Sequence, residues 1–315
     1  MKQRGIALLL VLPSVLLMST MLSTSYLYLS EMLFFIGDSR KKQDEKQLLL
    51  GSEYVFLNEI SKDILIDGGF SGVYFRLLSS PGTIRVNNKD VHYSLIDRTN
   101  CLNVNALYNY FINMNKNNEY YPWLVLKNIL HLNNITSSVL NEIMMVFVQD
   151  RSDAFNSNRI DRGFLAIQRT LQIGDSIDKL LNISSENFSH IAPLLCSRND
   201  NTLLINVDML DFNKVKLMQA IFMNEITENE MHKTILSKPA QGWGTVESFF
   251  EFLEKNSGVG IDRINELKKV DMLKFSHNEY YFSSNFKIEK GDLQLMSLFQ
   301  VRRGVITVLQ RRFIL

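Results

Sequence analysis

The stretch that limits this chain most is residues 6–30, IALLLVLPSVLLMSTMLSTSYLYLS, which contains no Asp, Glu, Lys, Arg or His. A bilayer core of about 30 Å takes roughly 20 apolar helical residues, so the segment is long enough to span a membrane. It follows directly on Lys2, Arg4 and Gly5, and the next charge is Glu31. Two ordinary readings each fit part of this. A secretory signal peptide has an apolar core of about 7–15 residues and a small-x-small cut site. Ser23-Thr24-Ser25 loosely supplies the cut, but the apolar run continues through Tyr26, Leu27, Tyr28 and Leu29. A single-pass anchor fits the length, and Lys2 and Arg4 then hold the N-terminus inside.

The remaining chain is globular in composition. It has 315 residues, 46% hydrophobic and 21% charged, enough for two modules beyond an anchor. Lys and Arg number 34 against 33 acids, a net charge of +1. No basic stripe with interleaved aromatics occurs, so nucleic acid is not an expected partner. The run Arg40, Lys41 and Lys42 reads as a solvated helix face. The two cysteines, Cys101 and Cys196, form one disulfide if the chain faces an oxidising compartment; two separate buried thiols fit the sequence equally. No CxxC word supports zinc, and His92, His131, His190, His232 and His277 are scattered. Nucleotide-loop, nucleophile-elbow and HExxH words are absent, so no enzyme activity is expected. Glu225, Glu228, Glu230, Asp208 and Asp211 form an acidic neighbourhood that a solvated helix face explains.

Apolar residues recur at helical spacing over 38–66, with Leu48, Leu49, Tyr54, Val55, Phe56, Leu57, Ile60, Ile64 and Leu65 toward roughly one side and Lys41, Lys42, Asp44, Glu45, Lys46, Glu53 and Lys62 toward the other. The helix is thus apolar all round in its first half and amphipathic in its second. Asp67-Gly68-Gly69 ends it. Strands are expected over 73–78, 83–86 and 91–96, separated by Ser79-Ser80-Pro81-Gly82 and Asn87-Asn88-Lys89-Asp90, which is hairpin chemistry. Helices are expected over 122–132, 137–148, 163–171, 184–195 and 214–225, and another opens near Gly242-Trp243-Gly244, capped by Thr245 or Ser248. Strands return over 280–288, 293–302 and 305–311.

Several words resemble one family. Arg4-Gly5-Ile6-Ala7-Leu8 resembles the prepilin cleavage motif, a basic leader ending in glycine before an apolar helix that is kept. Pilin-like subunits usually carry glutamate five residues after the cut, where this chain has Leu10. That departure is typical of the minor pseudopilin K family of type II secretion. Asp97 and the word Asn103-Val104-Asn105 resemble that family's N-x-N segment, and Asn206-Val207-Asp208 resembles its second such word with one change. Asn103 and Asn105 are expected on one side of an extended strand, their amides bonding backbone groups of the exit turn. Ser283-Ser284-Asn285-Phe286 resembles the family's closing strand.

The resemblance implies an α+β, pilin-like fold, a long N-terminal helix plus antiparallel sheet with an inserted all-helical domain. It divides the chain into a leader at 1–5, a transmembrane helix at 6–30, a first pilin-like part at 31–100, the inserted domain at 101–235, and a closing part at 236–315. It implies cleavage by prepilin peptidase between Gly5 and Ile6, N-methylation at Ile6, a tip position marked by Leu10, and I-type and J-type minor pseudopilins as partners. The chain is then a single-pass inner-membrane protein, with most of its length in the periplasm, that caps the pseudopilus and helps start its assembly. Some members bind calcium in the inserted domain, and Asp150 and Asp153 stand where an Asp-Trp-x-Asp word is common; two carboxylates alone do not supply the six to eight oxygens that calcium takes. The rival readings are a minor type IV pilin and a membrane-anchored periplasmic binding protein or enzyme.

Overall fold

The computed structural model describes residues 4–67, 73, 76–78, 81–107, 120–135 and 190–314. Helix α1, Arg4–Asp67, is a single helix of 64 residues with Pro13 inside it. Its C-terminal half lies on a five-stranded sheet built from β1 (Gly82–Val86), β2 (Lys89–Asp97), β7 (Glu279–Ile288), β8 (Gln294–Arg302) and β9 (Val305–Ile314). The order is β1-β2-β7-β8-β9, and every neighbouring pair is antiparallel. Asn87 and Asn88 turn the first hairpin at φ 50° and 60°, a left-handed pair that asparagine tolerates better than most residues. Arg303 and Gly304 do the same between β8 and β9.

Residues one or two turns apart on α1 meet this sheet. Leu49, Phe56, Ile60 and Ile64 are buried against Ile84, Val91, Phe282, Phe286, Leu295 and Phe299. Phe56 is the centre of the layer, its ring centroid 4.8 Å from Tyr93, 5.5 Å from Phe286 and 6.3 Å from Phe299. Glu53 is only 2% exposed in the same interface. Its carboxylate is held by Arg311 Nε at 2.6 Å and by the hydroxyl of Ser297, so this buried charge is paired as burial requires.

β2 and β7 are adjacent in space and pair from Val91↔Ile288 to Asp97↔Phe282, though nearly two hundred residues separate them in sequence. Everything between Asp97 and Glu279 is therefore inserted between neighbouring strands. The described part of this insertion holds β3 (Leu102–Asn103), α2 (Tyr121–Leu132), β4 (Leu195–Cys196), β5 (Leu203–Asn206), α3 (Val215–Ile221), α4 (Glu228–Leu236), α5 (Val246–Ser257), α6 (Ile261–Lys268) and β6 (Leu273–Ser276). One apolar cluster joins them, from Leu102 through Val125, Ile129, Ile205, Phe222, Phe249 and Leu253 to Leu273.

Several sequence expectations change here. Val73 and 76–78 are helical rather than extended, and the sheet begins at Gly82. The residues expected as a helix up to 195 end instead in a turn of 3-10 helix, Ala192–Leu194, followed by β4. The insertion is not all helical, since β3 pairs with β4 and β5 with β6, both in parallel. Its apolar cluster does not stop at 235, because Phe249, Phe250, Leu253, Ile264 and Leu267 of α5 and α6 are buried in it. Periodicity marks which face of a helix is apolar; it does not say which of two cores receives that face.

Candidate functional site: a bare helix and a closed junction

Two features stand out. The first is the outer half of α1. From Val11 to Ile36 its large apolar side chains are uncovered, for example Leu22 at 72%, Phe34 at 80% and Phe35 at 73% exposed. Of the apolar window long enough to cross a membrane, none is buried by the rest of the protein. Such a surface in water is strongly unfavourable at roughly 25 cal/mol per Å², so lipid or another protein must cover it. Gly5, Ile6 and Leu10 lie in the same helix near its start.

The second feature is the junction where the insertion leaves and rejoins the sheet. As β2 ends, the Thr99 hydroxyl continues its ladder: it donates to the Tyr281 carbonyl at 3.0 Å and accepts the Tyr281 N–H at 2.9 Å. Asn100 repeats the device toward β5. Its amide donates to the Asn206 carbonyl at 3.0 Å and accepts the Asn206 N–H at 2.7 Å. The Asn206 side chain then donates to the Glu279 carbonyl of β7 at 2.9 Å. One asparagine thus links the rim of the insertion to the central sheet.

The two Asn words have one local design. Asn103 ends β3 and its side-chain Oδ1 accepts the Asn105 N–H at 3.3 Å; Asn206 ends β5 and its Oδ1 accepts the Asp208 N–H at 3.0 Å. Each word is strand then 3-10 turn, Val104–Leu107 and Val207–Met209, so Asn105 is not on an extended strand as the spacing suggested. The reason is that an asparagine accepting the N–H two residues on closes an Asx-type turn and competes with strand pairing. Both amides of the first word do bond backbone groups. Asn103 donates to Asp200 O at 2.6 Å, and Asn105 donates to Arg198 O. In the second word the Asp208 carboxylate accepts the Trp243 N–H.

Arg198 sits at the centre of the junction with its side chain wholly enclosed. Nη1 donates to the carbonyls of Arg98 at 3.2 Å and Thr99 at 3.3 Å, and Nη2 donates to that of Thr202. Nε stands 3.5 Å from Asp200 Oδ1, an electrostatic contact longer than a good hydrogen bond. The guanidinium carbon lies 4.7 Å from the centre of the Tyr281 ring. Burial pushes the Tyr281 phenol well above its ordinary value and that of Tyr280 up to about 12, so both stay neutral at physiological pH. Burial also lowers the Lys214 ammonium, whose Nζ donates to the Pro193 carbonyl at 2.6 Å. Cys101 and Cys196 close the junction covalently, their Cα atoms 5.7 Å apart. Nothing in the sequence marked Arg198, which lies in a run, Ser197-Arg198-Asn199-Asp200-Asn201, that reads as a solvated loop.

Gly242 serves the same junction. It takes φ +84°, and a Cβ there would lie 2.8 Å from Asp208 Oδ1. Gly242→Ala is therefore expected to cost about 2 kcal/mol from the left-handed backbone and the displaced carboxylate together, read as a lower urea midpoint at unchanged m-value.

The candidate calcium residues Asp150 and Asp153 lie outside the described residues. Among the described residues no group of three or more His, Cys, Asp or Glu is placed to hold a metal.

A long helix on an antiparallel sheet, with a module whose described part is mostly helical inserted between adjacent strands, is a pilin-like α+β fold. The chain resembles type II secretion system protein K along nearly its whole length. It is 23% identical to that protein of Klebsiella pneumoniae, covering 99% of this chain and 97% of the other. It is 24% identical to the one of Pectobacterium carotovorum subsp. carotovorum, with the same coverage, and 22% to a putative one of Escherichia coli over 82% of each. A solved chain of the GspK-GspI-GspJ complex from the type 2 secretion system of enterotoxigenic Escherichia coli has the same fold, with TM-score 0.55 and 17% identity over 88% of this chain and 99% of that one. No family model matches.

Proposed function

We propose that the chain is a minor pseudopilin of a type II secretion apparatus, sits at the pseudopilus tip and helps to start assembly. The observation that carries this is the full-length resemblance to protein K, in a chain whose apolar helix is left uncovered beside a pilin-like sheet. In this reading prepilin peptidase cuts between Gly5 and Ile6, Ile6 becomes the N-methylated terminus, and the helix stays in the inner membrane with Lys2 and Arg4 on the cytoplasmic side before cleavage. The folded part then faces the periplasm, whose oxidising conditions suit the Cys101–Cys196 bond. Leu10 replaces the carboxylate that would need a cation from a subunit above; an unpaired carboxylate within a bilayer is costly, so leucine suits a position with no such neighbour. The partners are the I-type and J-type minor pseudopilins.

The test is the mass of the mature N-terminus in cells with and without prepilin peptidase. Loss of Met1–Gly5 only where the peptidase is present is expected, and retention in both strains would falsify the reading. A second measurement addresses the tip. Leu10→Glu is expected to leave membrane anchoring intact while lowering secretion and recovery of the minor-pseudopilin complex severalfold; unchanged secretion would remove the argument from Leu10.

A further inference from the structure

Between Arg4 and Asp38 the chain has one side chain charged at neutral pH, Glu31, and all of this stretch belongs to α1. At about 1.5 Å per residue the stretch is about 50 Å long, against a hydrocarbon core of about 30 Å. Even a tilt of about 40°, the upper end of the usual range, leaves it about 8 Å too long. Lipid alone therefore cannot cover it. If the bilayer takes the first twenty residues, then Met32, Leu33, Phe34, Phe35 and Ile36 stand in water, and they are 47–80% exposed here. If the bilayer instead takes the last twenty, Glu31 is drawn into hydrocarbon, where a charge costs several kcal/mol.

Among the described residues Glu31 forms no ion pair with a cation of this chain. Its helical neighbours three and four residues away are Tyr28, Leu27, Phe34 and Phe35. The nearest basic side chain along the helix, Arg40, is nine residues on, about 13 Å. The carboxylate thus sits alone in a sleeve of uncovered aromatic and aliphatic groups. An apolar helix carrying a lysine or arginine satisfies both parts of this surface at once, since it covers the sleeve and pairs the charge where water is thin.

We infer that Glu31 and the sleeve Met32–Ile36 form a docking site for an apolar helix of a neighbouring subunit that presents a basic side chain to the carboxylate. This rests on the pseudopilin reading above and adds the chemistry by which the partner is recognised. Glu31 acts as a register mark, because a helix that slides by one turn loses the pair and exposes an apolar ring.

The experiment uses the full chain, co-expressed with tagged I-type and J-type minor pseudopilins and recovered from detergent-solubilised membranes. Glu31→Lys and Glu31→Leu are expected to lower its co-purification at least tenfold, with Glu31→Asp close to wild type. Exchanging a basic residue of the partner helix for glutamate is expected to restore Glu31→Lys. Carbonate extraction and formation of the Cys101–Cys196 bond, both expected unchanged, separate docking from insertion and folding. Wild-type recovery by Glu31→Leu would overturn the inference and assign the sleeve to lipid. Failure of the wild-type chain to co-purify at all would instead strike at the pseudopilin reading, and the inference would fall with it.

Discussion

Reducing the Cys101–Cys196 bond is expected to lower the unfolding free energy by about 4–5 kcal/mol. The bond closes a loop with a sequence separation of 95, and the chain entropy released to the unfolded state by opening a loop of that size is of this order. The same value is expected for the double variant Cys101→Ala, Cys196→Ala. Both tryptophans report on the event, since Trp243 is buried in the apolar cluster of the insertion and Trp123 packs against it. Urea unfolding followed by their fluorescence is expected to show a lower midpoint in reductant, together with a steeper denaturant dependence because the reduced unfolded chain exposes more surface. An unchanged midpoint, with both thiols shown free by labelling, would mean that the junction is held by its polar network alone.

That network has its own expected result. Arg198→Met keeps much of the volume but removes every donor, leaving the carbonyls of Arg98, Thr99 and Thr202 without the guanidinium bonds they accept. The Thr99 carbonyl keeps the Cys101 N–H and the Thr202 carbonyl a long contact from the Asn103 amide, so the loss comes from the charge-assisted bonds themselves; breaking a buried charged contact by removing one partner typically costs about 3–5 kcal/mol. A loss of about 3–5 kcal/mol is expected. Arg198→Lys is expected to recover less than half of it, because an ammonium lacks the planar fork that reaches three carbonyls at once. Calorimetry or urea titration of both variants checks this. If lysine behaves like arginine, the charge and not the geometry holds the site. The two perturbations share neighbours, since Arg198 is two residues from Cys196, so their effects are expected not to add.

These two expectations concern one small region for a topological reason. The insertion enters after Asp97 and returns at Glu279, and those two residues belong to adjacent strands. The insertion therefore hangs from the sheet by two neighbouring crossings. Thr99, Asn100, Asn206, Arg198 and the disulfide all act at those crossings. Loosening them changes how the insertion is carried while the α1–sheet layer around Phe56 keeps its own core.

Legibility in the sequence followed the range of the interaction. The second half of α1 was readable in outline because its apolar residues repeat with the helical period: Leu48, Leu49, Phe56, Ile60 and Ile64 are buried as marked, whereas Tyr54 is exposed and Glu45 and Glu53, marked for the solvated side, are buried, because the sheet covers a wider arc of the helix than its apolar residues alone define. Asn87-Asn88 and Arg303-Gly304 declared their hairpins because left-handed turns accept few residue types. Val73 and residues 76–78 misled, since a short apolar run is compatible with either strand or helix. The Asn words were visible as words, but their geometry was not. An amide that accepts a near N–H in a turn, and one that lies along a strand, have the same sequence.

By itself the sequence determined the long helix, its apolar outer half, the hairpins, the closing strands and the resemblance to protein K. These depend on periodicity, turn chemistry and composition, which are local. Only the tertiary structure decided that β2 and β7 are neighbours, that α5 and α6 join the cluster of the insertion, and that Glu53 and Arg198 are buried charges. Those outcomes depend on which distant backbone carbonyls and side chains come within hydrogen-bond reach, and a charged residue in a polar run looks solvated until the chain closes over it. The bare helix lies between the two cases: its apolar length was plain from the start, and what the fold added is that nothing described in the chain folds back to cover residues 11–36.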